Sequence, residues 1–153
     1  MNNTYKSSSA EKVEAEQIIC KKVEEILGIK FEKNKPIFLA NNAYTYIQPD
    51  FYSEEESIVG EIFSHIGKYK GSQPRKIAND ILKMVLLDKV KNKTHKKLFV
   101  VCRDEEKNVL ENSSSWLSEC IRQFDVEVIK VDIPDIIKEQ VLAAQKRQIM
   151  ING

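Results

Sequence analysis

The chain has 153 residues, 42% hydrophobic and 31% charged, the proportions of one ordinary globular domain that needs no metal or disulfide staple to fold. Cys20, Cys102 and Cys120 are far apart in apolar stretches, as reduced thiols would be, and with only His65 and His95 beside them no zinc-binding spacing can be written. No apolar run reaches the ~18 residues of a membrane span and residues 1–12 hold no secretory h-region, so a cytoplasmic protein without a membrane partner is expected, with a loose tail over 1–9 and one domain over 10–153.

Net charge is +1, but its distribution is uneven. Residues 1–65 carry 7 basic and 11 acidic side chains, and residues 98–153 carry 7 and 10. Residues 66–97 carry 10 basic against Asp80 and Asp88, or +8. Such a block is either a footprint for phosphate or a solvated lysine-rich face.

Residues 8–27 read as a helix. Ser8 and Glu11 have capping-box spacing, and Gly28 is placed to end the helix. Its apolar stripe runs Val13, Cys20, Val23 and Leu27, with Glu16 in register. Residues 36–40 and 43–47 are strand-like, as are 57–63, with the acidic stretch 53–56 as a turn. Together they suggest a three-stranded antiparallel meander. Pro74 suits the first turn of a second helix over 74–89. Its apolar face is Ile77, Ala78, Ile81, Leu82, Val85 and Leu86, with Lys76, Asn79, Asp80 and Lys83 opposite. Residues 98–102 are apolar throughout, a strand covered on both faces, and 126–131 form a second such strand. A helix over 116–124, capped from Ser113–Ser115, lies between them and makes a right-handed parallel βαβ unit. A last helix follows Pro134. The order implies an α/β fold of three layers: a mixed central sheet, antiparallel meander plus parallel βαβ, flanked by helices.

No glycine-rich phosphate loop and no GxSxG elbow occur. A Ser or Cys triad would have to use His65 or His95, and neither is obviously placed for that. Chemistry concentrates between residues 48 and 76. Asp50 ends one expected strand and Glu61 lies inside the next. Neighbouring strands run about 4.8 Å apart, so two carboxylates on one face can share a hard divalent ion that takes its other ligands from water and phosphate. Tyr44, Tyr46, Tyr52 and Tyr69 surround the segment, available for packing or for stacking on bases.

A leading helix, a meander with Pro49-Asp50 before a Glu61-centred strand, then a helix and a βαβ unit resemble the PD-(D/E)XK nuclease superfamily, over roughly residues 10–135. The resemblance implies a restriction-endonuclease-like fold and a metal-dependent phosphodiesterase acting on nucleic acid, DNA ahead of RNA. Pro49-Asp50 matches the PD element and Glu61 the acidic residue of (D/E)XK. Glu16 matches a carboxylate supplied from the first helix. Mg²⁺ or Mn²⁺ would then be held by Asp50, Glu61 and Glu16. Phe63 stands where the motif has lysine, so the cation would come from elsewhere. Lys76 is the first choice and Lys68 the second, with His65 as a water-positioning substitute. A homodimer or an accessory protein is the further partner implied. The rival reading is a nuclease-fold module without turnover that binds nucleic acid or a protein.

Overall fold

The structure, a computed structural model, describes residues 3–39, 44–66 and 73–152. Helix α1 (Asn3–Leu27) begins ahead of Ser8, so the Ser8–Glu11 pair lies inside it rather than at its cap, and residues 3–9 belong to its first turns. Gly28 ends it as expected, with φ +68° and its N–H on Glu24 O at 2.8 Å. The buried stripe is Ala15, Ile19, Cys20 and Val23, while Val13 is exposed and Glu16 sits at the edge.

The central sheet has five strands in the order β1 (Glu32–Lys33), β4 (Phe51–Ser53), β5 (Ile58–Ile62), β6 (Lys96–Val101), β7 (Val126–Lys130). The first two pairings are antiparallel and the last two parallel. The mixed α/β sheet flanked by helices is therefore as expected, but the meander is built from different pieces. Of the expected strands 36–40 and 43–47, residues 40 and 43 lie outside the described residues, and the described parts do not join the main sheet. β2 (Ile37–Phe38) and β3 (Tyr46–Ile47) pair with each other as a separate hairpin. The short segments beside Asn34 and Asp50, which carry few β-branched residues, take the meander positions instead. Glu24 fixes β1 in place: its carboxylate accepts the Phe31 N–H and the Lys33 ammonium, each at 2.9 Å.

Helices α2 (Gln73–Lys91), α3 (Asp104–Asn112), α4 (Trp116–Gln123) and α5 (Asp135–Asn152) complete the fold. α3 was not foreseen, because its nine residues hold only Val109 and Leu110 as large apolar side chains. Ser115 caps α4 by accepting the Ser118 N–H at 3.2 Å. Two cores flank the sheet. One joins Ile58, Ile62, Leu98 and Val100 to α1 and α5; the other joins Val59, Phe63, Phe99 and Val101 to α2, α3 and α4. Strand β6 is buried on both faces, as its run of apolar residues demands, whereas β7 is an edge strand with Glu127 exposed. No helix among the described residues is long and apolar enough to cross a membrane.

Gly60 permits a close approach. A Cβ there would stand 1.9 Å from Phe51 Cζ, so the Phe51 ring lies over bare backbone beside Glu61. Downstream, the Gln145 amide of α5 bonds both the N–H and the carbonyl of Ile66, at 3.0 Å each. The backbone around Glu61 is thus held on both sides.

Candidate active site

Alternation along β5 sends Ile58 and Ile62 toward α1 and α5, and Val59, Glu61 and Phe63 toward α2. Glu61 is only 2% exposed. The rung Phe51 to Gly60 puts Asp50 beside Glu61 across the β4–β5 ladder. Asp50 is fixed by the Ile62 N–H, which donates to Oδ2 at 2.6 Å, and its carbonyl accepts the Asn34 N–H at 3.2 Å. The two expected carboxylates are therefore adjacent. Burial, then the charges of Asp50 and Asp80, push the Glu61 carboxyl up to about 9. A hydrogen bond between the Glu61 and Asp50 carboxyl groups adds to that upward push.

Helix α2 presents a face the amphipathic reading had assigned to solvent. Asp80 is buried and Lys83 points inward, while Leu82 and Leu86 are exposed. Two apolar stripes compete on this helix, Ile77–Ile81–Met84–Leu87 and Ala78–Leu82–Leu86, and the first, with the larger side chains, is the one buried. Lys83 Nζ lies 2.9 Å from Glu61 Oε1 and 3.0 Å from Asp80 Oδ1. Glu61 Oε1 is buried with the Lys83 ammonium as its near neighbour. Burial opposes the charge on Lys83, yet Glu61 and Asp80 hold its ammonium above the ordinary range. Burial raises Asp80 above the usual carboxylate range in spite of Lys83.

α1 supplies a second side of the site. Glu16 is half-buried, and burial followed by the charge of Asp50 raises its carboxyl, against the pull of Lys12 and Lys76. The Lys12 side chain as a whole is exposed, but burial of its ammonium, then the adjacent Lys76 ammonium, depress it. Four carboxyl groups (Glu16, Asp50, Glu61, Asp80) thus face three ammonium groups (Lys12, Lys76, Lys83).

The expected site residues are not all brought together. Asp50, Glu61, Glu16 and Lys76 belong to the cluster. Lys68 lies outside the described residues, as does Tyr69. His65 is held by Gln73, whose Nε2 is 2.8 Å from Nδ1, and its ring lies 5.8 Å from that of Phe63. Phe63 itself is 2% exposed and stacked on Phe99 at 6.1 Å, with Lys76 Nζ 5.8 Å above its ring. Lys12, Asp80 and Lys83 were missed. The spacing Lys76, Asp80, Lys83 (i, i+4, i+7) was the available signal, since it aligns three charges on one helix face.

The basic block divides. Lys83 faces the site, whereas Lys97 is buried in an ion pair with Asp88, which also accepts the His95 N–H at 2.8 Å. Only Lys89, Lys91, Lys93 and Lys96 form the exposed remainder beyond α2's middle. Among the described residues, no group of three or more His, Cys, Asp or Glu is arranged to hold a metal ion. No family model, no curated protein and no solved structure matches the chain.

Proposed function

We propose that this protein is a metal-dependent phosphodiesterase acting on nucleic acid, built on a restriction-endonuclease-like sheet. The observation that carries the reading is the pairing of Asp50 with a Glu61 that must keep a proton to sit beside it, with Lys83 at its edge. Two hard carboxylates in that state suit one Mg²⁺ or Mn²⁺, because a divalent ion replaces the shared proton and relieves the repulsion. When bound, the ion supplies Lewis-acid activation of water and of the phosphodiester.

The protein's own residues do the rest. Asp50, anchored on the Ile62 N–H, and Glu61, buried in β5, would hold the ion. Lys83 takes the part of the lysine that Phe63 cannot play, entering from α2 instead of from two residues along the strand. Once Glu61 is ionised, Lys83 is poised to stabilise charge on a phosphoryl oxygen. Lys12 and Lys76 would bring positive charge beside the carboxylates, where an adjacent backbone phosphate would lie, with Glu16 as the opposite charge near them. Magnesium-dependent cleavage of labelled DNA or RNA, absent in EDTA and absent in Glu61→Gln, is the expected result. Equal cleavage by Glu61→Gln would sink the reading.

A module that binds without turnover is the second reading. It is favoured by the packing of Phe63 against Phe99, which leaves the motif position with no cation. Metal-independent retention of nucleic acid without cleavage would select it.

A further inference from the structure

The β2–β3 hairpin has two unlike faces. Ile37 pairs with Ile47, and this rung turns toward the α2-side core, where Ile47 is buried. Phe38 pairs with Tyr46, and this rung turns outward. A third connection, the Leu39 N–H on the Thr45 carbonyl at 2.9 Å, squares the hairpin. The inward rung anchors it, so the outward aromatics are not required to hold the hairpin down. They nonetheless remain 50% and 52% exposed, with ring centroids 5.7 Å apart at 61°. A polar pair at these positions would leave less apolar surface in water.

The chain leads directly from this pair to the site. Tyr46 is four residues before Asp50, a span of at most about 14 Å, or roughly four nucleotides of a stacked strand. The surroundings suit a polyanion whose bases are exposed, since the Lys76 ammonium lies 5.8 Å over the ring of Phe63, two residues from Glu61, with Lys12 next to it. Tyr52, by contrast, is buried and cannot serve as a stacking surface.

We infer that Phe38 and Tyr46 form a stacking platform for unpaired bases, so that the polymer delivered to Asp50 and Glu61 is single-stranded. The inference rests on the phosphodiesterase reading for the class of polymer and adds its strandedness. Bases in a duplex are already stacked and hidden between their neighbours. Bases of a single strand present open π-faces, which a pair of tilted rings can take without reading sequence. The platform therefore supplies selectivity for strandedness, and the lysines supply affinity for phosphate.

The experiment measures fluorescence anisotropy of a labelled oligothymidylate and of a labelled duplex of the same length, with the full-length protein in EDTA. Variants are Phe38→Leu/Tyr46→Leu, which keeps apolar bulk but removes the π-faces, and Phe38→Trp, which keeps one. Thermal unfolding verifies that each retains the parent midpoint. The expected result is tighter binding of the single strand by the parent and a loss of about tenfold or more in the double Leu variant. That loss corresponds to one or two stacked bases. Duplex affinity stays unchanged, and Phe38→Trp binds like the parent. Unaltered single-strand affinity in the double Leu variant, or equal parental affinity for duplex, overturns the inference. So does a lack of binding to either probe. Adding Mg²⁺ separates the two claims. A strand that is bound through the platform but never cut overturns the phosphodiesterase reading alone. Cleavage of duplex with no effect of the Leu pair overturns the platform alone.

Discussion

Lys83 Nζ lies 2.9 Å from Glu61 Oε1, joining the middle of α2 to the second strand of the antiparallel pair. The contact is made possible by Asp80, one helical turn earlier, which holds the same ammonium at 3.0 Å and turns the helix's charged spacing toward the sheet. A lysine thereby reaches the acidic pair from above, leaving the strand position two residues after Glu61 free to be a core phenylalanine.

On the proposed phosphodiesterase reading, Lys83→Met should separate chemistry from binding. It removes the cation beside Glu61 while preserving stem length, so cleavage should fall by about 100-fold or more with nucleic-acid affinity in EDTA nearly unchanged. Stability should fall modestly, by about 1–2 kcal/mol in a urea titration. Lys83 is about one-third exposed, and solvent screening reduces the cost of breaking the pair from that of a fully buried one. A retained rate would transfer the role to Lys76.

Stability should decline with rising pH through Glu61. Its folded value, about 9, lies above the ordinary carboxyl range near 4.5, so the folded state binds a proton the unfolded chain has lost. Its stabilising contribution is complete below about pH 4.5 and disappears as pH climbs through 9. Glu61→Gln imitates the protonated form at every pH. Thermal unfolding between pH 5 and 9 should show the variant's midpoint drawing above the parent's as pH rises, by the equivalent of a few kcal/mol. Parallel curves would mean that Glu61 is ionised in the folded protein.

Much of this architecture was legible in the sequence because local signals and tertiary packing agree. Gly28 is a helix stop by conformation alone, and residues 98–101 are so uniformly apolar that only a doubly covered strand can use them. Asp50 and Glu61 were readable as a pair because a turn of four residues fixes their strands side by side. The hairpin over 37–47 was misassigned because strand propensity does not specify a partner; its aromatic face looked no different from a face of the main sheet. The inward face of α2 was misread for a related reason. The expected face omitted Met84 and Leu87, which with Ile77 and Ile81 form the buried stripe, and nothing local shows that Asp80 and Lys83 turn with it toward Glu61.

Metal affinity should be linked to proton release. If Mg²⁺ or Mn²⁺ replaces the proton between Glu61 and Asp50, each unit of pH below about 9 costs about tenfold in affinity. Calorimetry in two buffers of different ionisation enthalpy should detect close to one proton released per ion near neutral pH. Glu61→Gln should abolish that release. Binding with no proton release would place the ion away from the carboxylate pair.

Phe63→Lys would put on the strand the lysine that the resembled nuclease motif carries there, yet on the proposed reading it should not take over the part given to Lys83. The phenyl ring is 2% exposed and stacked on Phe99, so its removal costs on the order of 3–5 kcal/mol in packing. An ammonium in its place would lose hydration, and a lysine that stays buried would tend to release its proton and forfeit its charge. The site already holds Lys83 near Glu61 and Lys76 over the Phe63 ring, which would repel a third cation between them. Phe63→Lys alone should therefore unfold at markedly lower urea, and in the Lys83→Met background it should leave the cleavage rate at the Lys83→Met level. Recovery of cleavage in that double variant would show that the strand position still has room for a charged tip, and that the helix lysine is an alternative to the motif rather than its replacement.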